Sequence, residues 1–339
     1  MNRLEKYIIN NLSMLFLSIF SALFAIASVI FLIKLATYTA IIQLNVWEMT
    51  KLYIFVIPEL LFFTLPISFF VSAALTIHRL SNDNELIVFF ALGIHPKFIL
   101  KTLFKPALLL TLLLSLNFLV VLPHTKILSK NFISYKKSEA KFNLAASEFG
   151  HKFGNWLLYL GSKNDDGTYA DIFLFNKNTS EEVLIGAKKA LIINDAGILR
   201  LKLSDGEGYS YSKEKFSQID FEIMYINDTL KSDIIPYKTT LAYWEGFSEH
   251  NKKRPAFIRN SLLSLFPIFS LFLVLSISVM HARHQKSKIY LYLFLGIAIY
   301  YGATIGLQKS LLFYTIPIVS TVWLVFTYII YNKAILKRF

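Results

Sequence analysis

The sequence predicts an α-helical membrane bundle of six transmembrane helices, interrupted by one inserted all-β, jelly-roll-like domain. Three observations carry that prediction. Hydrophobic residues make up 55% of the 339 residues, against about 45–50% in soluble domains. Six apolar runs are each long enough to cross a bilayer, which takes about 20 residues. Between the third and fourth runs lies a polar block with short strand-like segments. The chain therefore divides into residues 1–123 with three spans, 124–254 with the β-domain and flanking helices, and 255–339 with three more spans.

The first span, from about Leu12 to Ile33, contains no charged residue. It exceeds the core of a signal peptide, and no small-residue cleavage site follows it. The second runs from about Ile54 to Ile77 with Pro58 and Glu59 near its start and Pro66 inside, where a proline kinks or unwinds a helix. The third runs from about Thr102 to Leu122 and ends at Pro123. The last three occupy about Phe257 to Met280, Ile289 to Leu307 and Leu311 to Tyr331.

A polar break from Arg79 to Pro96 separates the second and third spans. Ser81 and Asn82 are good N-cap residues, and Gly93 followed by Pro96 is a stop signal. The spacing predicts a short helix over about 80–94 with Leu86, Phe89, Phe90 and Gly93 on one face. Arg79, Asp83 and Glu85 supply charge around its start. A short amphipathic helix with a free apolar stripe at the mouth of a bundle suits a docking element for a soluble partner. The same residues also fit a capping box between Asn82 and Glu85, with the stripe lying on the protein's own helices or on lipid headgroups.

In the polar block, segments 156–160, 172–175, 183–185, 190–193 and 198–203 are rich in β-branched, aromatic and other apolar residues. Leu199 to Leu203 and Ile219 to Ile223 alternate as half-buried strands do. Asp165-Asp166-Gly167, Asn176-Lys177-Asn178 and Asn194-Asp195-Ala196-Gly197 carry turn chemistry. Strands so spaced suggest a sandwich or jelly roll. Residues from about Lys126 to Ala146 read as a helical stalk, and Leu241, Trp244 and Phe247 as a return helix.

The net charge is +13, with no cysteine. That excludes disulfides, thiolate metal sites and a cysteine nucleophile. The excess charge surrounds the spans, whereas the polar block is nearly balanced, so it reads as topology charge and not as a nucleic-acid footprint. Arg3, Lys6, Arg79, Lys97, Lys101, Lys105, Arg283, Lys286, Lys288, Lys333, Lys337 and Arg338 fall on one side. Outside the polar block, Lys34, Lys51, Arg259 and Lys309 fall on the other. The asymmetry predicts cytoplasmic termini and an outward-facing polar block.

No P-loop, H-E-x-x-H, EF-hand loop or G-x-S-x-G occurs. His281 and His284 flank Arg283 without further ligands nearby in sequence. Glu59, at the edge of the second span, reads as a helix-entry residue beside Pro58. Lys34 ends the first span, with Lys309 at the same level and Lys51 and Arg259 as weaker companions. A lysine there either snorkels to the headgroups or contacts the phosphate of an anionic lipid.

With these residues in view, the chain resembles the lipopolysaccharide-export permease family of the LptF/LptG, or YjgP/YjgQ, type. The resemblance rests on the three-plus-three layout and on Pro58-Glu59, Leu65-Pro66-Ile67-Ser68, Arg79-Leu80 and Glu85-Leu86 through Gly93-Ile94. The short proline motif, with Arg283-x-x-Lys286, leans to the LptF branch. The resemblance implies a bacterial inner-membrane permease that pairs with a paralogous permease on a cytoplasmic ATPase dimer. ATP and Mg would sit on the ATPase, with no cofactor on this chain. The complex would extract lipopolysaccharide or lipooligosaccharide from the outer leaflet of the inner membrane. Its periplasmic jelly roll would pass the lipid to a bridge protein of similar fold. Glu85 would be the coupling acid, with Arg79, Asp83, Leu86, Phe89 and Gly93 around it. Lys34, Lys309, Arg259 and Lys51 would meet the headgroup, and Leu201 and Ile223 would face the acyl path inside the β-domain. A membrane-anchored assembly scaffold and a lipid-modifying enzyme with an outward β-domain are the alternatives. Co-purification of a P-loop ATPase separates the permease from both.

Overall fold

The computed structural model describes residues 3–39, 44–141, 149–153, 156–164, 167–177, 181–195, 198–212, 215–227, 243–244, 253–279 and 288–336. Arg283, Lys286, His281 and His284 lie outside them, as do parts of the turns predicted at 165–166, 178 and 196–197 and of the return helix. The chain divides into two compact units. One comprises Met1–Thr37, Val46–Ser129 and Tyr237–Phe339, and the other Tyr38–Asn45 and Lys130–Pro236.

The first unit is helical. Helices α1 (Arg3–Thr39), α2 (Val46–Asn82) and α3 (Glu85–Ala91) precede α4 (Pro96–Leu116). A π-turn (Asn117–Val121) then leads into α5 (Leu122–Lys141). After the β unit come α6 (Lys253–Phe269), α7 (Leu271–Ser278), α8 (Ile289–Ser310) and α9 (Thr315–Tyr331). Five of the described helices are long and apolar enough to cross a membrane, and a sixth span results if α6 and α7, bent by 46° at Ser270, count as one. The fold is thus a helical membrane bundle with an inserted β-domain. Pro58 and Glu59 lie well inside α2, which begins at Val46. Glu59 is therefore not a helix-entry residue; its carboxylate pairs with Lys126 Nζ at 3.1 Å.

Small residues let the helices of the core approach. On α2, Ser68, Ser72, Ala73 and Ala74 are fully buried. Their hydroxyls are satisfied within the helix, Ser68 by Thr64 O and Ser72 by Phe69 O. Beside them an aromatic column runs from Phe70 through Phe266 and Tyr300 to Trp323, with centroid separations of 5.2, 4.8 and 5.0 Å. Tyr300 Oη donates to Leu262 O at 2.7 Å, so its buried phenol is satisfied. A Cβ at Gly296 would lie 3.0 Å from Leu273 and 3.3 Å from Phe70, which makes glycine the residue that admits this column.

The π-turn is stitched to its neighbours by side-chain hydrogen bonds. Asn117 Nδ2 donates to Pro58 O at 2.9 Å, and Trp244 Nε1 donates to Leu119 O at 3.0 Å. Phe118 packs edge-on against Phe62, Phe257 and the Trp244 ring.

The second unit holds one antiparallel sheet in simple meander order: β1 (Phe149–Phe153), β2 (Trp156–Lys163), β3 (Tyr169–Lys177), β4 (Glu181–Asp195), β5 (Ile198–Ser212) and β6 (Phe216–Asn227). The apolar runs 183–185 and 190–193 are two halves of the single strand β4. Its ladders skip one rung each at a shared level. Leu160 pairs with Ile172 and Ser162 with Ala170, omitting Gly161 and Asp171. The same happens at Asp171/Lys188, Lys188/Asp205 and Asp205/Glu222. Asp171 and Asp205, at φ 54 and 52, sit in the left-handed region there.

The effect is a crease across the sheet. On one side the buried residues are Leu158, Leu160, Ile172, Leu174, Ile185 and Ala187; on the other they are Tyr169, Ala190, Leu201, Leu203 and Ile226. In β3, β4 and β6 the alternation changes phase at the crease, and the same face stays buried. Among the described residues all of that core comes from the strands. This corrects one site expectation. Ile223 is 54% exposed, and the inward residues of β6 beyond the crease are Met224 and Ile226. Leu201 is fully buried, as an inward residue should be.

Candidate functional site

Helix α3 is bounded by two left-handed residues. Asn84 has φ 61 and occupies the N-cap position without a side-chain cap bond. Gly93 has φ 83, where glycine carries no Cβ penalty. Gly93 N donates to Phe90 O and Ile94 N to Phe89 O, both at 3.0 Å, which closes the helix as a Schellman motif. His95 then caps α4 by accepting from Lys97 N at 3.1 Å, with Pro96 in the first turn.

This geometry corrects the predicted start. Helix α2 continues through Ser81 to Asn82, so neither residue caps the next helix. Glu85 is the first residue of α3 and not the third, which rules out the capping box with Asn82. Its Oε1 instead accepts from Tyr7 Oη at 3.0 Å. Arg79 faces Asp83 at 3.8 Å, one turn apart and largely exposed, a pair worth at most about 1 kcal/mol.

The apolar stripe is also reassigned. Leu86 is buried, and Phe89 and Phe90 pack on the bundle's own core. The residues α3 turns outward are Ile87, Val88 and, just past its end, Leu92, the last two at 52% and 73% exposure. Val88 and Leu92 stand four apart, a spacing legible in the sequence but outranked there by the two phenylalanines. A recess of about 160 Å³ opens beside the junction, with Tyr7, Asn11, Arg79, Asp83 and Glu85 among its walls.

The four expected headgroup cations occupy corresponding helix ends. Lys34 lies near the end of α1, Lys51 near the start of α2, Arg259 in the second turn of α6 and Lys309 in the last turn of α8. Alternating helix direction puts all four at one end of the bundle. Lys34 and Lys309 are exposed. Arg259 is half-buried; its Nε donates to Asn260 Oδ1 at 3.4 Å, and its guanidinium lies 6.0 Å from the Phe63 ring centroid. Sequence reasoning missed Tyr7, whose partner is 78 positions away, and Lys126 as the partner of Glu59. Among the described residues no three His, Asp or Glu side chains approach as metal ligands would.

In the β unit, Tyr209 Oη donates to Glu207. That bond holds the phenol's pKa above its ordinary value.

Such a bundle, with an inserted β unit and a short helix between its second and third spans, is the frame of a multi-pass membrane protein. The sequence matches the model of the lipopolysaccharide export system permease LptF/LptG over residues 6–331, and the chain belongs to that family. The match does not choose between the LptF and LptG branches. No curated protein sequence matches the chain. Family and apolar helices together make it a transport subunit, a lipopolysaccharide export permease of the inner membrane.

Proposed function

We propose that this permease works as one membrane half of an ABC transporter. It pairs with a paralogous permease above a cytoplasmic ATPase dimer that holds ATP and Mg. Together they lift lipopolysaccharide or lipooligosaccharide out of the outer leaflet of the inner membrane. The observation that carries the reading is α3: a short helix, fixed by Leu86 and Phe89 to its own bundle, that turns Val88 and Leu92 away from it and holds the half-buried acid Glu85 at its rim, bonded to Tyr7. Helix-in-groove docking uses such an apolar face with a charged residue at its rim. The lysine and arginine bias supports a cytoplasmic location for this end and both termini.

At the opposite end Lys34, Lys309, Arg259 and Lys51 meet the phosphates of the arriving lipid, each contributing about 1 kcal/mol at a wet interface. The β-domain, periplasmic in this reading, receives the acyl chains between its walls and passes them to a bridge protein of similar fold. Leu201, Met224 and Ile226 line that path.

The test is Glu85→Lys in the purified complex. ATPase co-purification and ATP-driven lipid release should both fall, because charge reversal adds repulsion to the loss of a contact. A complex that assembles and exports like the parent refutes the docking role. A photocrosslinker at Leu201 or Ile226 should capture lipid when ATP is supplied, and one at Ile223 should not.

A further inference from the structure

The start of α1 is fastened to the α3 junction and to α4 by polar contacts that a plain membrane span does not need. Tyr7 Oη donates to Glu85 Oε1 at 3.0 Å. Two residues earlier, Lys105 Nζ lies 3.3 and 3.2 Å from the two carboxylate oxygens of Glu5. The Glu5 side chain is only 13% exposed. Ile8 and Leu12, one turn apart on the same stretch, are buried in the bundle core. Beyond them α1 is lightly packed: Met14, Leu17, Ile26, Val29, Ile30 and Ile33 are all more than half exposed. Near its other end Ser28 meets Tyr53 of α2 at 2.9 Å. Helix α1 thus touches the α3 acid at one end and the start of α2 at the other.

The choice of a phenol as partner for Glu85 is informative. The nearby cation, Arg79, faces Asp83. Tyr7 is a neutral donor, so it orients the Glu85 carboxylate and leaves its negative charge available to a cation outside the chain. We propose that Tyr7 is a positioning residue for Glu85, and that the Tyr7–Glu85 bond makes the first turns of α1 move with α3. A displacement of α3 is then handed to a whole span, with Glu5–Lys105 fixing the pivot against α4. This rests on the reading of α3 as the docking helix and adds to it where the movement goes next.

The test uses the full complex with its ATPase and paralogous permease in nanodiscs. The chain has no cysteine, so spin labels at Leu17→Cys and Leu109→Cys, both exposed positions on α1 and α4, report the α1–α4 distance. In the parent that distance should shift between the nucleotide-free and vanadate-trapped states, and an unchanged distance overturns the linkage. Tyr7→Phe removes only a hydroxyl; it should abolish most of the shift and lower lipid released per ATP about fivefold, the worth of one such hydrogen bond. A parent-like shift and release ratio in Tyr7→Phe, beside a defective Glu85→Lys, overturns the α1 linkage and leaves the docking reading standing. A Glu85→Lys complex that assembles and exports normally overturns the docking reading and this proposal with it.

Discussion

Gly206 sits at the crease of the β-domain, next to the left-handed Asp205, and Gly206→Ala should damage that domain more than the same change at Gly186 or Gly208. A Cβ there would lie 2.4 Å from Gly186 O on β4 and 2.4 Å from Phe221 Cζ on β6. Both approaches are about 1 Å inside ordinary van der Waals contact of about 3.5–4 Å. They come from the two strands that flank β5, so relief from one drives the methyl into the other. Phe221 Cζ is the far end of a side chain, whereas the Gly186 carbonyl belongs to the backbone and moves only if the strands part. Overpacking of this kind costs about 1–3 kcal/mol, and weakening a neighbouring rung adds about 1 kcal/mol. A loss of about 3 kcal/mol is a large share of the 5–15 kcal/mol that holds a typical domain together. The assay is hydrogen exchange on the full protein in nanodiscs, followed on peptides from β4 to β6. Gly302→Ala on α8 is the control: nothing lies within 4 Å of its Cβ position, and alanine in a helix gains about 0.5–1 kcal/mol over glycine. If Gly206→Ala exchanges as slowly as the parent, the crease does not have the packing described.

Two further outcomes are expected. Trp244→Phe keeps a ring in the Phe118–Phe257 cluster and removes the donor to Leu119 O, so amides of the π-turn should exchange faster, by about the worth of one hydrogen bond, near 1 kcal/mol; unchanged exchange there would show that the π-turn stands without Trp244. The Tyr209 phenol should titrate above its ordinary value because the neutral phenol donates a hydrogen bond to Glu207. The stabilisation from that bond is fully present below about pH 10 and disappears as pH rises through the raised value, and Glu207→Gln should bring the ultraviolet titration of Tyr209 back down.

The spans were legible because charge-free runs of such length have few other uses. The bend at Ser270 was not, since Phe266 to Leu275 reads as one apolar run in which a single serine and a single proline are ordinary. In the β-domain the alternation of each half-strand was visible, but the phase change was not. The polar pair Lys188-Lys189 looked like a gap between two strands, whereas it is where one strand crosses the crease. The same blindness turned Ile223 the wrong way, because its facing is set by a rung shared with β5 and not by its own neighbours. Strand β1 escaped notice because Gly150, His151 and Lys152 break its apolar pattern. At the α2–α3 junction the charged and apolar residues were found, but which face they took depended on how far α2 continued. The Tyr7–Glu85 bond joins residues that no local period connects.

The crease also changes how the β-domain tolerates length errors. In an ordinary strand, losing one residue inverts every side chain from that point to the strand's end. Here each of the strands β2 to β6 carries one residue left out of the ladder at a common level, and that residue acts as slack. A deletion ahead of it, at Leu184 for example, can be absorbed by drawing the spare residue of β4 into the ladder. The error is then confined to one wall, while Ala190 and the residues beyond keep their facing. The two walls of the domain are in this sense separately phased, and each can lengthen or shorten without scrambling the interior surface of the other.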